Sequence, residues 1–232
     1  MISLLEPDQI LENNKRIQSL APEKKVFILT ARDASQFFLF CVSSMTFVFS
    51  STAIADCILI QPTIFEDKRG FFMETYHADK FAQGGITTTF IQDNHSKSKA
   101  GVLRGLHFQT QHSQAKLVRV TRGAVLDIVL DCRVGSPSYE QHIIVELNET
   151  NKHQLFIPKG CAHGFLTLVD DTEFLYKCDD VYAPHFDSGI HYASIGADRE
   201  NIKKTYGLTD FIISPKDQGL QTFEEYKKHP LF

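Results

Sequence analysis

The chain has 232 residues, 43% of them apolar, which is enough to bury the core of one large domain. A net charge of −4 excludes a general nucleic-acid binder, whose affinity rests on neutralising phosphates. Five cysteines (Cys41, Cys57, Cys132, Cys161, Cys178) with no CxxC pair and no framework spacing read as the reduced thiols of a cytosolic protein rather than as disulfides.

Residues 1–44 read as an N-terminal extension that the sequence gives no role. Within it, PDQILENNKRIQSLAPEKK suggests a short polar helix, with Pro7 near its start and Pro22 beyond its end. The run FFLFCVSSMTFVF (37–49), followed by SSTAIAD, has the outline of a signal peptide with an A-x-A-like end. It is too short and too broken by serine to span a bilayer. The segment ahead of it also carries Glu6, Asp8, Glu12, Glu23 and Asp33. Residues 46–60 are therefore read as the first strands of a domain covering 45–232, and Met45 could serve as an internal start.

From about 46 to 192, short β-branched and aromatic runs alternate with turn residues. They are CILIQPTIF (57–65), GFFMETY (70–76), TTTFIQD (87–93), KLVRVTRG (116–123), AVLDIVLDCR (124–133), HIIVELN (142–148), HQLFIPKG (153–160), AHGFLTLVD (162–170) and EFLYKCDD (173–180). Turns fall at RG (122–123), GSPS (135–138) and PKG (158–160). In VLDIVLD one face carries Leu126, Ile128 and Leu130, and the other carries Asp127, Val129 and Asp131. Helix returns only near 77–83 and around 220–229, where Thr222 can cap. About ten strands with no long helix between them imply an all-β sandwich, jelly roll or barrel.

The stretch GVLRGLHFQTQHSQAKLVRV (101–120) collects Arg104, His107, His112, Lys116 and Arg119 in strand-like sequence. Three chemistries fit these residue types. A metal site would use His107, His112 and His163. However, His107 and His112 are five apart, so on one continuous strand they point to opposite faces. No HxH spacing puts two ligands on one face, and metal: none is the reading. An anion site would use Arg69, Arg104, Lys116 and Arg119, since guanidinium forks suit phosphate. Gly105, beside Arg104, marks a close backbone approach. An acid–base site would use His107, and a carboxylate partner would fix its tautomer. Each also has an ordinary reading, as surface cations on a sheet or as a satisfied core histidine.

In order along the chain, FEDKRGFFMETY (65–76), FIQDNHSKSKAGVLRGLHFQ (90–109), QAKLVRVTRGAVLDIVLDCRVGSPSY (114–139), NKHQLFIPKGCAHGFLTL (151–168), EFLYKCDDVYAP (173–184) and SPKD (214–217) resemble the dTDP-4-dehydrorhamnose 3,5-epimerase family of RmlC-type cupins. The resemblance covers about 55–219. It implies a cupin-type jelly-roll barrel with a few short peripheral helices, a homodimer that exchanges N-terminal strands, and cofactors: none. It implies epimerisation at C3 and C5 of dTDP-4-dehydro-6-deoxy-D-glucose, in the cytoplasm, on the way to dTDP-L-rhamnose for cell-surface polysaccharide. The partner it implies is a nucleotide-diphosphate sugar, with no nucleic acid and no membrane. A single-centre epimerase and a non-catalytic sugar-nucleotide-binding cupin are the alternatives.

Residue by residue, the resemblance implies His107 as general base with Asp217 as its dyad partner, Tyr176 as general acid, and Lys116 beside the developing enolate. It implies Tyr182 as the tyrosine that stacks on the nucleotide base. Arg69, Glu74, Gln92, Asn94, Arg104, His163 and Lys216 match substrate-contacting positions, and Asp187 stands where many members have Glu. The chain departs from the family's pattern elsewhere. Phe156 replaces a common Trp, QAK replaces QGK, and IHYAS (190–194) and GADRENIKKTYG (196–207) replace Trp-containing segments, so the chain has no Trp.

Overall fold

The computed structural model describes residues 46–232. The polar helix expected between Pro7 and Pro22, and the rest of the 1–44 extension, lie outside the described residues. The strands in chain order are β1 (Phe47–Ser51), β2 (Ile58–Pro62), β3 (Phe65–Asp67), β4 (Gly70–Phe72), β5 (Gln92–Ser98), β6 (Val102–Gln109), β7 (Lys116–Arg122), β8 (Ala124–Asp131), β9 (His142–Asn148), β10 (Gln154–Ile157), β11 (Cys161–Thr167), β12 (Thr172–Cys178), β13 (Asp187–Gly189) and β14 (Ile212–Ile213). The helices are α1 (Ala78–Gln83), α2 (Arg199–Tyr206), α3 (Pro215–Gln218) and α4 (Phe223–Tyr226).

One sheet runs β1-β2-β10-β7-β12-β5 and the other β13-β6-β11-β8-β9, with β14 joining β6 in parallel. From β5 to β12 successive strands cross between the sheets, except for the β8–β9 hairpin within the second, so β5-β12-β7-β10 faces β6-β11-β8-β9. That interleaving is the jelly-roll arrangement, and the all-β expectation holds. The core between the sheets is packed by Val118, Val120, Leu155 and Phe174 from the first and by Val125, Val129, Leu147 and Phe165 from the second.

The alternation in β8 sorts as read: Val125 and Val129 face the inner core, while Leu126, Ile128 and Leu130 face outward. Both faces are buried, because the segment after β13 wraps the outside of the second sheet. There Tyr192, Ile202, Tyr206, Leu208 and Phe211 pack on Leu103, Leu126 and Leu166. The outer face of the first sheet is covered by α1, whose Phe81 packs with Phe47, Ile60, Leu117 and Phe156. Phe156 is buried in that cluster, where six rings lie mostly edge to face.

Two expectations are corrected. The strand expected at TTTFIQD begins only at Gln92 and runs on through the polar DNHSKS, because its inward positions are Asn94, Ser96, which lines the cavity, and Ser98, which bonds Arg104, rather than apolar core residues. A helix not expected from the sequence, α2, forms over RENIKKTY. The Asp198 carboxylate caps it by accepting from the Asn201 N–H, and Gly207 ends it in the left-handed conformation. Its polar composition hid it, since only Ile202 and Tyr206 touch the core. At the C-terminus Thr222 caps as expected, in a capping box with Glu225, but the helix is a single turn.

Candidate active site

The gap between the sheets opens into a cavity of about 510 Å³, walled by β5, β7 and β12 on one side and by β6 and β11 on the other. An adjoining hollow of about 260 Å³ shares His107, Lys116, Tyr176 and Lys216 with it. The combined size suits a ligand of several rings.

Arg104 and His107 both line this cavity. Three residues apart on a regular strand, they would point to opposite faces. The register on β11 shifts between them: His107 pairs with His163, and Arg104 with Phe165. Two steps on β11 match three on β6, so a bulge puts both side chains inside. Gly105 makes the bulge at φ +105°, where a Cβ would lie 2.6 Å from the His163 carbonyl oxygen and 2.8 Å from the Gly164 Cα. Only glycine fits there.

Asp217, 110 residues downstream, reaches the His107 ring. The His107 Nε2–H donates to Asp217 Oδ1 at 2.6 Å, and Asp217 Oδ2 accepts from the Gly105 N–H at 3.3 Å. The carboxylate is delivered by α3, whose N-cap Ser214 accepts from the Asp217 N–H at 3.1 Å and whose first residue is Pro215. Burial opposes the Asp217 charge, yet the hydrogen bonds with His107 and the Gly105 N–H hold its carboxyl below the usual range. With the proton of the neutral ring on Nε2, Nδ1 is the basic nitrogen of His107.

On the opposite wall, inward alternation along β7 and β12 presents Lys116 and Tyr176 to the same cavity. Neither side chain has a hydrogen-bond partner among the described residues. Burial pushes the Tyr176 phenol up and the Lys116 ammonium down from their ordinary ranges, with Cys178, Asp127 and Asp187 pulling the lysine partly back. His163, 6% exposed, sits beside His107, donates from Nε2 to Asp127 Oδ2 at 3.0 Å and stacks near Phe174. Burial also lowers its pKa, against the pull of Asp127.

At the rim, Arg104 bridges the two sheets: its Nε and Nη2 donate to Ser98 Oγ at 3.3 and 3.2 Å. Asp187 gathers the other rim residues by accepting from Lys216 Nζ and from the Tyr182 hydroxyl, the latter at 2.7 Å. Tyr182 is half exposed, and its N–H donates to Gln92 Oε1 at 2.9 Å. Asn94 lies on β5 opposite Tyr176 and accepts from Gln92 Nε2.

The structure thus brings together His107, Asp217, Tyr176, Lys116, Arg104, His163, Tyr182, Asp187 and Lys216, with Gln92 and Asn94 beside them. It does not bring Arg69 or Glu74 to this cavity. Arg69 tips the β3–β4 hairpin, paired with Asp67 in solvent, and Glu74 accepts from Thr46 Oγ1 and Lys80 Nζ. His112 lies in the loop after β6, near Asp180, so it does not share a continuous strand with His107. Among the described residues no three His, Cys, Asp or Glu side chains group as a metal would need. Sequence reasoning missed Ser98, Ser96 and Asp127. The i, i+2 polar spacing of DNHSKS was the available signal for the serines.

Residues 51–225 match the family model described as dTDP-4-dehydrorhamnose 3,5-epimerase. A protein of that name from Escherichia coli is 45% identical over 177 residues, covering 75% of this chain and 93% of that one. Its counterpart from Methanothermobacter thermautotrophicus is 42% identical over 181 residues, covering 77% and 96%. The crystal structure of dTDP-6-deoxy-D-glucose-3,5-epimerase from Legionella pneumophila, in complex with dTDP-4-keto-L-rhamnose, superposes with a TM-score of 0.70 at 41% identity, covering 77% of this chain and 93% of that one.

Proposed function

The chain belongs to the dTDP-4-dehydrorhamnose 3,5-epimerase family, and from that premise we propose that it inverts C3 and C5 of dTDP-4-dehydro-6-deoxy-D-glucose to give dTDP-4-dehydro-L-rhamnose. The observation that carries this reading is the 2.6 Å His107–Asp217 bond, set across a sugar-sized cavity from Tyr176. The 4-keto group acidifies the C–H bonds on either side of it. Nδ1 of His107 takes one proton, and the electron pair moves to the ketone oxygen as an enolate. Lys116, a cation in a poorly solvated wall with no ion-pair partner among the described residues, faces that charge. Tyr176 on the opposite sheet returns a proton to the other face of the carbon, which inverts it. Each inversion trades one proton for another and leaves the oxidation state unchanged.

The rim fits the rest of the substrate. Arg104 offers its fork to the diphosphate, and Tyr182 offers an open aromatic face to the base. The homodimer is part of the same proposal. Phe65, Phe71 and Phe72 on the β3–β4 hairpin are 48%, 55% and 70% exposed, an apolar patch that a second copy would cover. A hairpin reaching into a neighbour's site would also explain why Arg69 is absent from its own. We place the protein in the cytoplasm. Four cysteines among the described residues are free and buried, and no described helix is long and apolar enough to cross a membrane. In D₂O, the sugar nucleotide incubated with the enzyme should gain deuterium at both C3 and C5. Exchange at one position would make it a single-centre epimerase, and tight binding without exchange would reject an enzymatic role.

A further inference from the structure

Asp127 is fully buried in the middle of β8, on the face it shares with Val125 and Val129. Its Oδ2 accepts from His163, and its Oδ1 has no hydrogen-bond partner among the described residues. A carboxylate oxygen buried without a donor lowers stability, so packing gives no reason for an acid at this position. His163 gives one: it lines the cavity, and among the described residues its ring bonds only to Asp127.

We propose that Asp127 is a positioning residue of this site: it holds the His163 ring as the Nε2–H tautomer and so fixes which nitrogen faces the cavity. With its proton on Nε2, His163 presents Nδ1 as an acceptor, and so suits a sugar hydroxyl rather than a phosphate oxygen. The groups acting on His163 are Asp127 from β8, Lys116 from β7 and His107 from β6.

This inference rests on the epimerase reading, and one assay separates the two. Wild-type protein that exchanges neither C3 nor C5 rejects the reading. Wild-type exchange with an unaffected variant rejects the role of Asp127 alone. For Asp127→Asn we expect an unchanged melting temperature, a kcat lower by roughly tenfold to a hundredfold, as for partners that orient a working imidazole, and a KM within about threefold. A kcat that falls only in step with the melting temperature would mean a merely structural acid. If the variant does not fold, ¹⁵N spectra of histidine-labelled wild type decide. His163 protonated on Nε2 between pH 6 and 9 is the expected result, and an Nδ1–H tautomer overturns the proposal.

Discussion

His107 can act as a base only while Asp217 holds its ring, and Asp217 is held in turn by the Gly105 N–H and the Ser214 cap. His107→Ala should therefore lower deuterium exchange by about 10²–10⁴-fold, the usual worth of a positioned base. Binding of dTDP, read by titration calorimetry, should stay within a few-fold, because the base lies away from the rim. Retained exchange would remove His107 from the chemistry. Arg104 poses the opposite case. Its guanidinium sits at the mouth on Ser98, where it meets phosphate rather than the reacting carbons. Arg104→Ala should raise KM by about tenfold to a hundredfold, the range of a charge-assisted hydrogen bond. A drop confined to kcat would place it at the sugar instead.

At the scale of elements, two devices shape the site. One is the bulge in β6, which sets Arg104 and His107 on the same wall. The other is the turn after β8, which ties that strand to the β1–β2 loop. Asp131 ends β8, fully buried, and accepts from the Arg133 fork, from Ser136 at 2.6 Å and from Ser138 at 2.7 Å. Arg133 and Ser138 then bind the Ala55 carbonyl and N–H. Burial works against the Asp131 charge, but these donors hold its carboxyl down at about 2, against an ordinary 3.8. A carboxyl depressed that far contributes ~2 kcal/mol at neutral pH. The sign follows: the contribution is present above pH 4 and is lost as pH falls through 2. Urea unfolding should show Asp131→Asn less stable than wild type by that amount at pH 7, with the gap nearly closed at pH 2. A constant gap would assign the stability to packing.

At the scale of the molecule, one chain gathers His107, Tyr176, Lys116 and the rim residues at its cavity but leaves Arg69 on an exposed hairpin. If two copies exchange these hairpins, mixing His107→Ala with Arg69→Ala subunits should regain activity. A mixed dimer holds one site with both residues intact, although each variant alone is impaired. If Arg69 serves its own chain, every mixed site carries a defect and no activity returns. Light scattering on the same samples would show the dimer directly.

Much of this molecule was legible in the chain alone. Period-two apolar runs and turn residues marked the strands, because a half-buried sheet cannot hide its alternation. Ordered motifs marked most of the residues that gather at the cavity, though not Arg69 or Glu74, and the turns at Gly123, Ser136–Ser138 and Gly160 fell where their residue types require. Strand β5 and helix α2 were not legible. A strand whose inward positions are Asn94, Ser96 and Ser98 lacks an apolar face, and a helix held by two contacts lacks an apolar period. Nor can spacing alone pair His107 with Asp217 across 110 residues, place Arg104 and His107 on one wall against strand parity, or set Asp127 under His163. Those juxtapositions depend on how strands cross between two sheets, on one bulge and on one capped turn. They are long-range geometry, which a local pattern of residue types does not encode.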